Sequence, residues 1–184
     1  HRRSNNKDAA MRERTIASHF VRAALRGATR QGLDGPALLR RAGIQPALLD
    51  EPRARIAPEQ FTRLMQLLWE VLDDEYMGFG EVRSKRGTFA MMCHTLIHCR
   101  TLEKALQRGE LFYGLFPQAP LIHLRRDGDL VRLSLEERHL SDPDHFLAES
   151  LLVIWHRLAS WLIGQRIRLE EATFSYPAPD HQAE

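Results

Sequence analysis

Apolar residues recur at helical spacing through the first two thirds of this chain, and then the period changes to two between residues 121 and 135. A period of 3.6 buries one stripe of a helix, whereas a period of two buries one face of a strand. Helices early and strands late point to an α+β chain, because neither kind of element can hide its apolar face alone. The expected fold is a mostly helical domain packed on a small antiparallel sheet that contains a late hairpin.

The hairpin signal is Asp127-Gly128 between two alternating runs. A two-residue turn there pairs Arg126 with Asp129, Leu124 with Val131 and Ile122 with Leu133, all four inner residues on one face. His123 then stands opposite Arg132, and Arg125 opposite Leu130, on the other face.

The helical segments are read from their stripes. Ile16, Phe20, Ala24 and Ala28 predict a helix over 16–31, with Gly32 as its stop. Asp34 caps a short helix to residue 42, Gly43 ends it, and residues 45–50 form a further helical turn. Phe61, Leu64, Met65, Leu68, Trp69 and Leu72 make one stripe over 58–73. The acids at its end, Asp73, Asp74 and Glu75, read as solvated loop residues, since they lack the spacing of a calcium loop.

Residues 87–116, GTFAMMCHTLIHCRTLEKALQRGELFYGLF, read as two helices joined by a turn capped at Thr101. Phe89, Met92, Cys93 and Leu96 share one face of the first, and Met91, His94 and His98 lie roughly opposite. Leu102, Ala105, Leu106, Gly109, Phe112, Tyr113 and Phe116 form the stripe of the second, with Gly109 suited to a close approach. Asp142-Pro143 opens a last helix that Gly164 stops. Its buried stripe is expected to be Leu147, Leu151, Ile154, Trp155, Leu158 and Leu162, and its opposite side His145, Glu149, Leu152 and His156. Ala172, Phe174 and Tyr176 alternate, so residues 167–176 are expected to add a strand. Residues 1–14 are polar and are expected to be disordered.

The 184 residues are 43% hydrophobic and 27% charged with a formal net charge of +2, an ordinary globular composition that does not coat nucleic acid. Two cysteines suit a reducing compartment. No apolar run approaches the ~20 residues of a membrane span, and none in the first fifteen suggests a signal peptide. The reading is cytoplasmic, with no membrane partner.

Few residues suggest chemistry. His145 and His156 are eleven positions apart, roughly 16 Å along a helix, so they cannot share a metal whose ligands lie ~2 Å away. Cys93, His94, His98 and Cys99 do not all converge on one ion from a single helix; His94 and His98, at i and i+4, could hold two corners of a site only with a third ligand from elsewhere, such as His123 or His139, and ordinary hydrogen-bonded histidines are the better reading. No nucleophile elbow, phosphate loop or paired carboxylate is present, so no catalytic residue, metal or cofactor is assigned. The segment GPALLRRAGIQPALLDEP has a helix–turn–helix rhythm, but its second element carries Asp50 and Glu51 where phosphates would lie. A small-molecule site is the better reading, with Met91, His94, His98, Tyr113, His123 and Arg125 as its candidate residues. The face bearing His145, Glu149, Leu152 and His156 is the candidate domain or dimer interface.

Three stretches together resemble one family. GIQPALLDEPRARIAPEQFTRLMQLLWEVLDDEYMGFG, the 87–116 helix pair with its T-L-x-x-A-L, and HFLAESLLVIWHRLASWLIGQRIRL with the later FSYPAPDH are similar to the N-terminal sensor domain of AraC-type transcription regulators, in the subgroup named arabinose-binding. The resemblance covers about residues 16–184 and implies a regulatory domain rather than an enzyme. It implies an effector-sensing or dimerisation domain over 15–184, cut before its own end and before a C-terminal helix-turn-helix domain. Its partners would be a small-molecule effector of unspecified identity, a second copy in a homodimer, and DNA only through that absent domain. A dimerisation module without ligand and a small metal-dependent enzyme are the alternative readings. The expected fold is a helical layer on a small sheet, not the cupin barrel of the family's namesake.

Overall fold

The computed structural model describes residues 15–177 apart from Pro52 and Pro117. The polar segment 1–14 and the end of the P-x-P-x-H motif therefore lie outside the described residues. Strand β1 (Ile16–Ala17) leads into helix α1 (Ser18–Arg30), α2 (Gly35–Arg41) and a 3-10 turn (Pro46–Asp50). Strand β2 (Arg55–Ile56) and helices α3 (Pro58–Leu72), α4 (Thr88–Leu96) and α5 (Leu102–Gly114) come next. Strands β3 (Leu121–Asp127) and β4 (Leu130–Glu136) then precede helix α6 (Phe146–Leu162). The class is α+β, with two small antiparallel sheets, β1–β2 and β3–β4.

The first helix starts later than its stripe suggested. Ile16 pairs with Ile56 in the β1–β2 ladder, and α1 buries Val21, Ala24, Leu25 and Ala28 while Phe20 stays 40% exposed. A β-branched residue fits the ladder better than a helix N-terminus, which shifts the buried stripe. Asp34 does cap α2, accepting from the Ala37 N–H at 3.0 Å. Beyond Gly43 the chain makes only a 3-10 turn, so no second helix completes a helix–turn–helix. Helix α3 buries Leu64, Leu67, Leu68 and Leu72.

The hairpin register differs from expectation by two. Leu124 faces Leu133 and Ile122 faces Leu135, while His123 faces Ser134 and Arg125 faces Arg132. The turn centres on Gly128-Asp129, with Gly128 at φ +60°, the position a type II′ turn reserves for glycine. A slip of two leaves each side chain on its own face, so the apolar pattern cannot tell the registers apart; a slip of one would have inverted every face.

Helix α6 begins at Phe146. Trp155 and Leu158 are buried, but Ile154 is 37% exposed and leaves the expected stripe. Asp142 lies before the helix and accepts from the N–H groups of Phe146, Leu147 and Ala148 at 3.0, 2.7 and 3.0 Å. One carboxylate thus satisfies three of the donors that a helix start leaves unpaired. Burial pushes its carboxyl up from the ordinary 3.8, against the pull of those three N–H groups. A raised folded value means that folding favours the protonated form. That contribution is complete below the unfolded value and is lost as pH rises through the folded one. The stability of wild type relative to Asp142→Asn is therefore expected to fall as pH is raised from below 3.8 towards neutrality, read from urea midpoints at each pH.

Residues 165–177 form no strand. Alternation alone does not pair a strand, and no neighbouring edge among the described residues receives this one.

Candidate ligand and docking surfaces

The acids after α3 are not all solvated. Asp74 is completely buried and accepts from Tyr76 N at 2.9 Å, Gly78 N at 2.8 Å and Ser84 N at 2.8 Å. Glu75 accepts from Gly87 N at 2.7 Å and Phe89 N at 2.9 Å, and so caps α4 from across the loop. These two carboxylates hold the 74–87 loop together. Among the described residues, no group of three or more His, Cys, Asp or Glu is placed to hold a metal.

The loop also builds a buried polar patch that the sequence did not reveal. Burial pushes the Tyr76 phenol upward, opposed in part by the Ser84 hydroxyl, with the charges of Asp74 and Glu75 adding to the rise. Burial likewise pushes the Tyr113 phenol upward, with Tyr76, Glu75 and Cys93 nearby. The Cys93 thiol is pushed up by burial and then by Glu75, the direction opposite to that of an activated thiolate.

The six candidate ligand residues fall in three places. Met91 is 62% exposed, and His94 and His98 are exposed beside it on α4 and its C-terminal turn, since Met92 and Leu96 take the inner face. Tyr113 points the other way, into the core, where its ring meets Trp155 edge-on at 6.1 Å. His123 and Arg125 gather on Glu110 of α5, with His123 Nδ1 3.1 Å and an Arg125 guanidinium nitrogen 3.9 Å from Glu110 Oε1. His123 Nε2 also lies 3.4 Å from Glu136. The hairpin is thus moored to α5 by a carboxylate, a role its alternation could not show.

A separate concavity opens where the α4–α5 turn meets the end of α6. It has a volume of about 140 Å³ and is walled by Leu96, Ile97, Leu102, Ala105, Leu162 and Ile163. Cys99, Arg100 and Thr101 line it as well. Thr101 is held in place by accepting from Lys104 N, the cap expected at the start of α5. The walls come from segments some sixty positions apart, so only folding brings them together.

The face of α6 that carries His145, Glu149, Leu152 and His156 is met by the chain's own C-terminal segment. The Tyr176 ring stacks on His145, centroids 3.6 Å apart and 5° from parallel. Its hydroxyl donates to Glu149 Oε1 at 2.6 Å. His156 Nε2 lies 3.1 Å from the Ile167 carbonyl oxygen, and Ile167 N donates to Ser160 Oγ at 3.2 Å. His145 is held from behind by Glu137, 3.0 Å away. Leu152 is half-buried. Ser160 carried no signal in the sequence, and Tyr176 was singled out only by its strand-like alternation and the Y-P-A-P run, neither of which points to His145 or Glu149.

The described residues thus form a helix-rich domain with one late hairpin and a small cleft between α4, α5 and α6. The family model for the N-terminal arabinose-binding domain of AraC transcription regulators matches residues 32–184, and the chain belongs to that family. The family is one of regulatory domains, not of enzymes. The chain is similar to the ornithine utilization regulator of Pseudomonas aeruginosa, 24% identical over 153 residues, which are 82% of this chain and 45% of that protein. It therefore spans less than half of that relative's length. No solved structure matches it. No helix among the described residues is long and apolar enough to cross a membrane.

Proposed function

We propose that residues 15–184 are the effector-sensing domain of an AraC-type regulator, working in the cytoplasm on DNA bound by a separate helix-turn-helix domain. The family match over residues 32–184 carries this reading. The effector is a small molecule, and the α4–α5–α6 cleft is its entry. Arg100 is among the residues that line the cleft, where a carboxylate finds a partner. The candidate set on α4 and the hairpin is split between surfaces, so one small effector touches only part of it. The relative is named for ornithine utilization, which puts ornithine and other amino acids first among compounds to test.

A thermal-shift screen of amino acids, sugars, fatty acids and signalling metabolites tests the proposal. A ligand at 100 times its Kd stabilises by about 2.7 kcal/mol, which moves the melting temperature by several degrees in a domain of this size. Arg100→Ala is expected to abolish that shift. No shift from any compound, with regulation intact in an Arg100→Ala parent protein, overturns the sensing reading.

Dimerisation is the second reading. Val153, Ile154 and Trp161 leave an apolar strip on α6, exposed by 58%, 37% and 67%. Sedimentation velocity on the samples of the same screen decides it: a monomer at all concentrations removes this reading.

A further inference from the structure

Residues 165–177 leave α6 at Gly164 and fold back along the helix they have just left, Ile167 meeting His156 and Tyr176 meeting Glu149 and His145. Among the described residues they are pinned near their two ends, with Ile167 packed against the core at the near one. At the near end Ile167 bonds to His156 and Ser160, and at the far end Tyr176 bonds to Glu149 and stacks on His145. Everything between is exposed, including Leu169 at 62% and Phe174 at 50%.

We propose that the polar face of α6 is a receptor for this segment, and that the segment docks and releases as a strap whose state reports on the cleft. This rests on the sensing reading above.

The chemistry of the contact favours an exchangeable partner over a permanent one. A buried apolar segment comes away only with the fold. Ile167 packs against the core and anchors the near end; beyond it the attachment is one part-buried phenol–carboxylate hydrogen bond and one ring stack. Such groups can exchange with water at little net cost. The docked and released forms then lie close enough in free energy for a ligand with a modest preference to shift them. The receptor side, by contrast, is held by its own contacts. His145 is clamped by Glu137, and the backbone at its position, with φ +53°, is held by the Asp142 cap on the next residues.

The link to the cleft is covalent and short. Leu162 and Ile163 line the cleft, and Gly164, at φ +66°, is the next residue and the point where the strap turns away. A molecule pressing on Leu162 and Ile163 meets the last turn of α6 directly before the hinge. The occupant of the face is therefore this chain's own strap, and a second protein chain there would have to displace it.

Hydrogen exchange read by mass spectrometry on the chain tests the strap without any effector, so its failure is separable from failure of the sensing reading. The amide of Ile167, whose N–H donates to Ser160 Oγ, is expected to exchange more slowly than in an unstructured peptide. Tyr176→Ala removes both the stack and the hydrogen bond and is expected to speed that exchange about tenfold or more. Tyr176→Phe keeps the ring and should fall between. The amides of α6 should be unchanged in both, which separates strap release from unfolding. Filling the cleft with Ile163→Trp is expected to change exchange at Ile167 by at least about threefold. A wild-type Ile167 amide exchanging at the free rate, or unaltered by Tyr176→Ala, overturns the strap. No response to Ile163→Trp overturns its link to the cleft.

Discussion

Asp74→Ala is expected to destabilise the domain by about 4 kcal/mol, a large share of the 5–15 kcal/mol that holds an ordinary domain folded. The side chain is fully buried, and its two oxygens accept from three backbone N–H groups. Alanine leaves all three donors without a partner in a place that water does not reach. Each such orphan costs about 1–3 kcal/mol, which sets the size of the effect. Asp74→Asn keeps one acceptor oxygen and turns an N–H₂ group towards the remaining donor, so about half the loss is expected. The check is equilibrium urea unfolding of both variants. Equal midpoints for wild type and Asp74→Ala would remove Asp74 as the organiser of the 74–87 loop. Loss of that loop would also reach α4, because the neighbouring Glu75 caps that helix.

Gly27→Ala is the second large effect, about 3 kcal/mol or more. On helix propensity alone, alanine at Gly27, in the last turn of α1, should stabilise that helix by up to about 1 kcal/mol. The tertiary structure reverses the sign. A Cβ at Gly27 would land on the Met77 carbonyl oxygen and lie 3.0 Å from its carbon and 3.3 Å from the Gly78 carbonyl carbon. All three are backbone atoms, which cannot rotate away as a side chain can, so α1 and the 74–80 loop must separate. Gly114 is the internal control. It ends α5, and a Cβ there meets nothing within 4 Å. Gly114→Ala is expected to leave the melting temperature unchanged or raise it by a degree or two. If Gly27→Ala behaves like Gly114→Ala, the close approach is not part of the fold.

Both residues show where sequence reasoning stops. Gly27 sits in a helical pattern like any tolerated glycine, and only a loop some fifty positions away makes it necessary. Asp74 belongs to a run of three acids between a helix and a glycine-rich loop, which on local grounds is solvent-facing. Burial of a carboxylate is decided by how many donors converge on it, and those donors belong to a loop conformation rather than to a residue type. Gly109 lies between the two cases. Its place in an apolar stripe pointed to a close approach, and Trp155 of α6 is what packs against it.

The candidate site was legible in its parts but not in its assembly. Helical spacing in α4 separates the Met92–Leu96 face from the one bearing Met91, His94 and His98. It could not say that the second face meets solvent while Tyr113 faces the core. The cleft is made of residues 96–105 and 162–163, whose apolar side chains look like any others in the sequence. The α6 face stood out for its odd mixture of two histidines, a glutamate and a leucine. Its cover, a segment from the same chain, comes from a reversal of direction at Gly164.

Determined by the sequence were the helices, their caps at Asp34 and Thr101, the α+β class, and the order of motifs that places the chain among AraC-type sensor domains. These depend on the period of apolar residues and on short-range hydrogen bonds, which a few neighbouring positions specify. The tertiary structure alone decided the hairpin register, the burial of Asp74, the walls of the cleft and the path of residues 165–177 over α6. Each depends on groups distant in sequence meeting within hydrogen-bond or van der Waals reach, and no local pattern encodes which groups those are.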